Sequence, residues 1–156
     1  SLYDELTELD EQIKRLDKEL SALSTTKEEC QRLETMTGIG PIIATAFYSA
    51  VGDGKAFKNG RHVAAWLGLV AKQHTTGDNP NLKGISKRGN TYLRTQLING
   101  ARAALVKSGN KTDKVSQWAN SLRERLPFNK AVVALANKMA RMAWAMVVKQ
   151  EDYKFA

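Results

Sequence analysis

The chain has 156 residues, 42% of them hydrophobic and 26% charged, with three prolines and one cysteine: one domain with an appended element, too apolar to be disordered. The lone Cys30 excludes an internal disulfide and agrees with a reducing, cytoplasmic setting; apolar stretches such as Ala131–Ala136 fall short of the roughly 20 residues of a membrane span, and no signal peptide precedes them. The net charge of +8 is unevenly spread: residues 1–34 hold five basic against ten acidic side chains, and the rest hold 19 against six, which predicts an acidic arm on a basic body that attracts polyanions, above all nucleic acid.

Leu2, Leu6, Leu9, Ile13, Leu16, Leu20 and Leu23 alternate steps of four and three, the spacing of a coiled-coil seam. With Leu2, Leu9, Leu16 and Leu23 as the d column, Glu5, Asp10, Asp17 and Glu19 flank the seam. Identical arms repel there, so the seam needs a partner: a twin chain, a preceding helix, or the body itself. Ser24, Thr25 and Thr26 interrupt the pattern, and Thr25 or Thr26 ahead of Glu28 and Glu29 offers N-cap chemistry for a second helix. Residues 1–34 are therefore expected to form the coiled-coil arm and 35–156 the helical body.

From Leu33 the period changes. Thr37-Gly38-Ile39-Gly40-Pro41 reads as a tight turn opening a helix over Ile42–Ala50, with Pro41 in its first turn. Gly52, Asp53 and Gly54 end it, and Val63–Leu69 reads as a short helix around Trp66. Residues 71–89 have loop composition throughout, and loops of that length in compact domains are usually functional or mobile. Asn90 can cap a helix to about Val106, with Leu93, Leu97, Ala101 and Leu105 on one face. After a Ser-Gly-Asn-Lys-Thr linker come helices over Asp113–Arg125 and about Phe128–Lys149, the last apolar around most of its circumference except for a strip of Lys130, Asn137, Lys138 and Arg141. Trp118 and Trp144 read as core. No alternating strand pattern appears, so the fold class is all-α.

Two segments carry chemistry. Around Gly38 and Gly40, the turn lets the chain pass close to a phosphate, and the following helix offers free N–H groups and the positive end of its dipole. This resembles a helix-hairpin-helix element, which grips backbone without reading bases; the bland reading is a plain interhelical turn. The second segment runs through Lys83, Ser86, Lys87, Arg88 and Asn90 to Arg94. Cations gain nothing from the dipole at a helix start, so they make better sense facing phosphate than as a solvated loop. Among the acidic residues after residue 34, Asp53, Asp78, Asp113, Glu124, Glu151 and Asp152, no spacing resembles a two-metal site. His62 and His74 with one cysteine make no zinc pattern. His62 reads as a helix residue, while His74 can assist proton transfer or hold a phosphate.

Thr-Gly-Ile-Gly-Pro, then Ala64-Ala65-Trp66-Leu67-Gly68-Leu69, then Gly84-Ile85-Ser86-Lys87-Arg88-Gly89-Asn90 with Leu93-Arg94, then Gly100-Ala101-Arg102 together resemble the C-terminal domain of the insertion-sequence one-ten family of transposases, over roughly residues 33–106. The resemblance implies bacterial DNA recombination by dimers or tetramers, guided in some members by a structured bridge RNA. It also implies an N-terminal RuvC-like domain whose four acidic residues bind divalent metal (Mg) and whose site this domain completes. No cofactor is expected within this chain, and the chain alone is not expected to cut DNA. Members carry a nucleophilic serine in the loop matching residues 74–77, where this sequence has His74-Thr75-Thr76-Gly77. Thr76, directly before Gly77, is the matching hydroxyl, with Thr75 next and Ser86 third. The extra methyl of threonine crowds an in-line approach to phosphorus. Two other classes stand beside this one: a non-catalytic DNA- or RNA-binding module, and a structural oligomerisation protein built on the arm.

Overall fold

The computed structural model describes residues 1–70 and 90–154. Every regular element among them is helical: α1 (Leu2–Thr26), α2 (Glu28–Glu34), α3 (Pro41–Val51), α4 (Gly60–Trp66), α5 (Asn90–Lys107), a 3-10 turn at Ser108–Asn110, α6 (Lys114–Arg125) and α7 (Phe128–Lys149). The all-α class predicted from the pattern is the observed one.

α1 is capped by Ser1, whose hydroxyl accepts from the Asp4 N–H at 3.3 Å. Its seam stands in the open: Leu2, Leu6, Leu9, Ile13, Leu16 and Leu23 are 51–73% exposed. The body covers only the end near Leu20, where the Thr45 hydroxyl reaches the Leu20 carbonyl at 3.3 Å and that of Pro41 at 2.8 Å. The predicted break at Ser24–Thr26 falls later. α1 continues through Thr26, whose hydroxyl bonds back to the Leu23 carbonyl instead of capping α2, and Lys27 makes the break with an extended backbone. A threonine oxygen that has its own helix's carbonyl within reach takes the local bond. α2 already belongs to the core, with Cys30 and Leu33 buried. Burial raises the Cys30 thiol pKa, outweighing the lowering by Thr45, so Cys30 packs as a small apolar group.

α7 is the central helix. It packs on α2, α4, α5 and α6 through buried residues that include Val132, Leu135, Met139, Ala143 and Val147. It is the one described helix long and apolar enough to cross a membrane by length and composition; here its apolar face is the floor of the core. Trp144 is half-buried and donates from its indole to the Gly54 carbonyl at 2.9 Å. Trp118 is also half-buried, with the Lys138 ammonium 4.7 Å from its ring centre. The C-terminal segment after α7 returns to the body: the Tyr153 N–H donates to the Thr35 hydroxyl at 2.8 Å, and the Tyr153 hydroxyl donates to Asp113 at 2.6 Å.

Candidate nucleic-acid interface

The turn between α2 and α3 is built from two glycines with different tasks. Gly38 has φ +89°, and a β-carbon there would meet Met139 Cε at 2.8 Å and the Gly100 carbonyl at 3.0 Å. It is glycine because the turn is left-handed and pressed onto α5 and α7. Gly40 has ordinary φ −94° and nothing within 4 Å of a β-carbon. Gly40 therefore leaves open space at the start of α3, where Pro41 occupies the first turn and no side chain caps the helix among the described residues. The orphan N–H groups and dipole of that start suit an anion. Lys111, an exposed cation absent from the sequence-derived set, shares a cleft with Thr37 beside this turn.

Of the second segment, Lys83, Ser86, Lys87 and Arg88 lie outside the described residues, as do His74, Thr75, Thr76 and Asp78. Asn90 is the first residue of α5, and Arg94 stands one turn on. Its guanidinium lies over Gly68, 3.1 Å from where a β-carbon would be. Gly68, at φ +72°, closes α4 with its N–H to Ala65 and that of Leu69 to Ala64, a glycine-ended helix terminus that leaves room for the arginine and sets it at the negative end of a dipole. Arg94 is thus held where the chain leaves α4 and re-enters α5.

The described start of α5 stands apart from the turn. Gly38 packs on Gly100 and Ala104 of α5, ten or more residues along from Asn90, a separation of about 15 Å at 1.5 Å per residue. A ligand that engages both the turn and Arg94 runs along α5, as a nucleic-acid backbone can.

The described acidic groups do not fit a metal site. No group of three or more His, Cys, Asp or Glu is placed to hold an ion among the described residues. Asp53 accepts from the Lys55 N–H at 3.0 Å, and Asp113 caps α6 at Ser116 while taking the Tyr153 hydroxyl. Asp113 is buried, which raises its pKa, but the bonds from Ser116 and Tyr153 outweigh burial and leave it below the usual carboxylate value. Burial, then Asp113, raises the Tyr153 phenol. His62 takes the Lys58 N–H on Nδ1 at 3.2 Å and meets Phe57 edge-on at 5.2 Å; it shapes the approach to α4. The ion pairs among the described residues are Ser1–Asp4, Arg32–Glu28 and Lys154–Glu151, so Arg94, Arg102, Lys130, Lys138 and Arg141 form none among them.

Residues 30–117 match the model of the transposase IS116/IS110/IS902 family. A probable family 20 transposase of Pseudomonas aeruginosa is 48% identical over 98% of this chain and 45% of its own length. The transposase for insertion sequence element IS1111A of Coxiella burnetii is 47% identical over 98% of this chain and 42% of its own. A pilin gene-inverting protein of Moraxella bovis is 23% identical over 96% of this chain and 45% of its own. The chain thus spans less than half the length of these relatives, and it belongs to the IS116/IS110/IS902 family of transposases.

Proposed function

We propose that this chain is the DNA-binding, active-site-completing part of an insertion-sequence transposase, working with metal-binding carboxylates supplied by another part of the full-length protein. The observation that carries the reading is the uncapped start of α3, open at Gly40, on a body where Arg94, Arg102, Lys130, Lys138 and Arg141 form no ion pair among the described residues. In this reading Gly38 and Gly40 form a helix-hairpin-helix grip on one phosphate stretch, and Lys83, Ser86, Lys87, Arg88, Asn90 and Arg94 grip another. Structured guide RNA is a second ligand of the same phosphate-binding chemistry. The exposed α1 seam pairs with another helix and joins copies into a homo-oligomer.

Thr76, with Thr75 next, is the hydroxyl at the position of the family's serine. Its oxygen forms the ester bond to phosphorus as the bond to the departing DNA hydroxyl breaks, and that hydroxyl leaves with the proton that the threonine gives up. In the complete protein, Thr76→Ala is expected to abolish strand transfer while DNA affinity is kept. Full activity of both Thr76→Ala and Thr75→Ala removes the covalent role and leaves a non-catalytic DNA- or RNA-binding module, a reading that the departure from serine favours. Binding itself is tested by titrating duplex DNA over a salt series. Lys87→Ala with Arg88→Ala is expected to lower the slope of log K against log salt by one to two units, about 0.9 per phosphate contact.

A further inference from the structure

The outer side of α7 carries a second concave surface, away from the Gly38–Pro41 turn. A cavity of about 820 Å³ lies between α6, α7 and the chain that follows α4, with Leu69 and Trp118 among its lining. Along α7, Lys130, Ala134, Asn137 and Arg141 line it. Their spacing of four, three and four places them on one helical stripe. Lys130 and Arg141 stand at its two ends, about 16 Å apart at 1.5 Å per residue, with Val133 and Ala134 among the lining nearer Lys130 and the Asn137 amide nearer Arg141, tied to the Leu69 carbonyl at 2.8 Å.

Among the described residues this groove has no negative charge. α7 contains no Asp or Glu over residues 128–149, and none lines the cavity among the described residues. Arg141 Nε is buried with no acceptor among them. Beside it, burial and then the Arg141 charge hold the Lys138 pKa below the usual lysine value, so these cations stand close together with no ion-pair partner among the described residues. An apolar surface with cations at both ends complements a ligand with apolar faces and anionic edges. Duplex DNA offers only its phosphates to a protein surface of this kind, because its base faces are stacked; an unpaired strand offers both.

We propose that the α6–α7 groove holds an unpaired DNA strand, its base faces against Val133 and Ala134 and its phosphates at Lys130 and Arg141. This rests on the reading of the chain as DNA-binding. The test titrates the whole chain with labelled oligothymidylate and, separately, duplex DNA over a salt series. Lys130→Ala and Arg141→Gln are each expected to lower the oligothymidylate slope by about 0.7, the single-strand value per phosphate contact, and the double variant by about 1.4; the duplex slope falls by less. Lys130 is exposed, so its variant folds even if Arg141→Gln, whose backbone packs on Gly60, does not. Indole emission falls on adding the strand, and Trp118→Phe removes that change.

If the wild type binds both ligands and the Lys130 variant has an unaltered oligothymidylate slope, the groove is not a strand site and a protein segment is its better occupant. Oligouridylate binding ten times tighter than oligothymidylate overturns the choice of DNA. If the wild type binds neither duplex nor strand at low salt, the DNA-binding reading falls along with the groove.

Discussion

The carbonyl of Gly38 lies against Gly100 so closely that a β-carbon on residue 100 would sit 2.4 Å from the carbonyl oxygen, with Ile43 Cδ1 at 2.7 Å on another side. One contact therefore seats the turn before α3 on the middle of α5. Neither backbone can yield without moving a helix, so Gly100→Ala is expected to cost about 2–3 kcal/mol. At this chain length the melting temperature then falls by roughly 4–10 °C. A thermal melt indistinguishable from wild type would show that the two helices are not locked together here.

Gly40 separates the proposed phosphate contact from folding at the same turn. Its β-carbon would meet nothing, so Gly40→Ala is expected to change stability by less than about 1 kcal/mol. Duplex affinity is expected to drop, because the added methyl stands in the path of a phosphate approaching the N–H groups of α3. Unchanged affinity in a stably folded variant means that no phosphate comes close to this backbone.

The Tyr153–Asp113 bond, 2.6 Å long and buried, ties the C-terminal segment to the start of α6. The folded pKa of Asp113 is below its unfolded value of 3.8, so its contribution is present above that pH and is lost as pH falls through the lower, folded pKa. Tyr153 is raised above 10.0, so its contribution holds below pH 10 and fades as pH rises further. Tyr153→Phe is expected to destabilise by about 1.5–3 kcal/mol near neutral pH, as for a bond to a charged group, and to flatten the loss of stability in acid. Urea midpoints measured from pH 2 to pH 6 check this; parallel curves for variant and wild type would show that the bond does not couple to Asp113.

Arg94 sits over Gly68 at the end of α4. Arg94→Ala is expected to reduce the duplex salt slope by about 0.9 and to lower stability by no more than about 1 kcal/mol, the scale of a lost charge–dipole contact. Gly68→Ala strains a positive φ and crowds the guanidinium, so it is expected to weaken binding by displacing the same group. A full-strength slope in both variants would place Arg94 outside the interface.

The α1 seam contributes little to the body, since residues 1–16 are all exposed. Leu9→Ser with Ile13→Ser is accordingly expected to leave the urea midpoint within about 0.5 kcal/mol of wild type while removing association of the chain. Acidic flanks at Glu5, Asp10, Asp17 and Glu19 oppose pairing of identical arms, and salt screens that repulsion. Self-association through the arm should therefore strengthen with salt. Sedimentation at low and high salt checks both points, and association that weakens with salt would mean that a basic surface, not a second arm, is the contact.

Much of the fold was legible because helical period is a local property. α7 starts and stops where the loss and return of apolar spacing predict, and Asp113 caps α6 as an aspartate before a helix should. The misplaced break at Ser24–Thr26 shows where this reading weakens: a hydroxyl that can cap forward can also bond backward, and only the backbone at Lys27 decides between them. Lys111 was missed because a single lysine in a polar linker carries no periodic signal. It comes near the turn only because the linker folds beside Thr37.

The sequence by itself determined the all-helical class, the acidic arm and basic body, and the glycine turn ahead of α3, because period, charge and turn chemistry act between neighbours along the chain. Tertiary structure alone decided that Gly38 serves packing while Gly40 leaves space, that Arg94 rests on Gly68, and that the α7 cations border one groove with Trp118. Those relations join residues tens of positions apart, and burial of the shared core around α7 is the force that sets them.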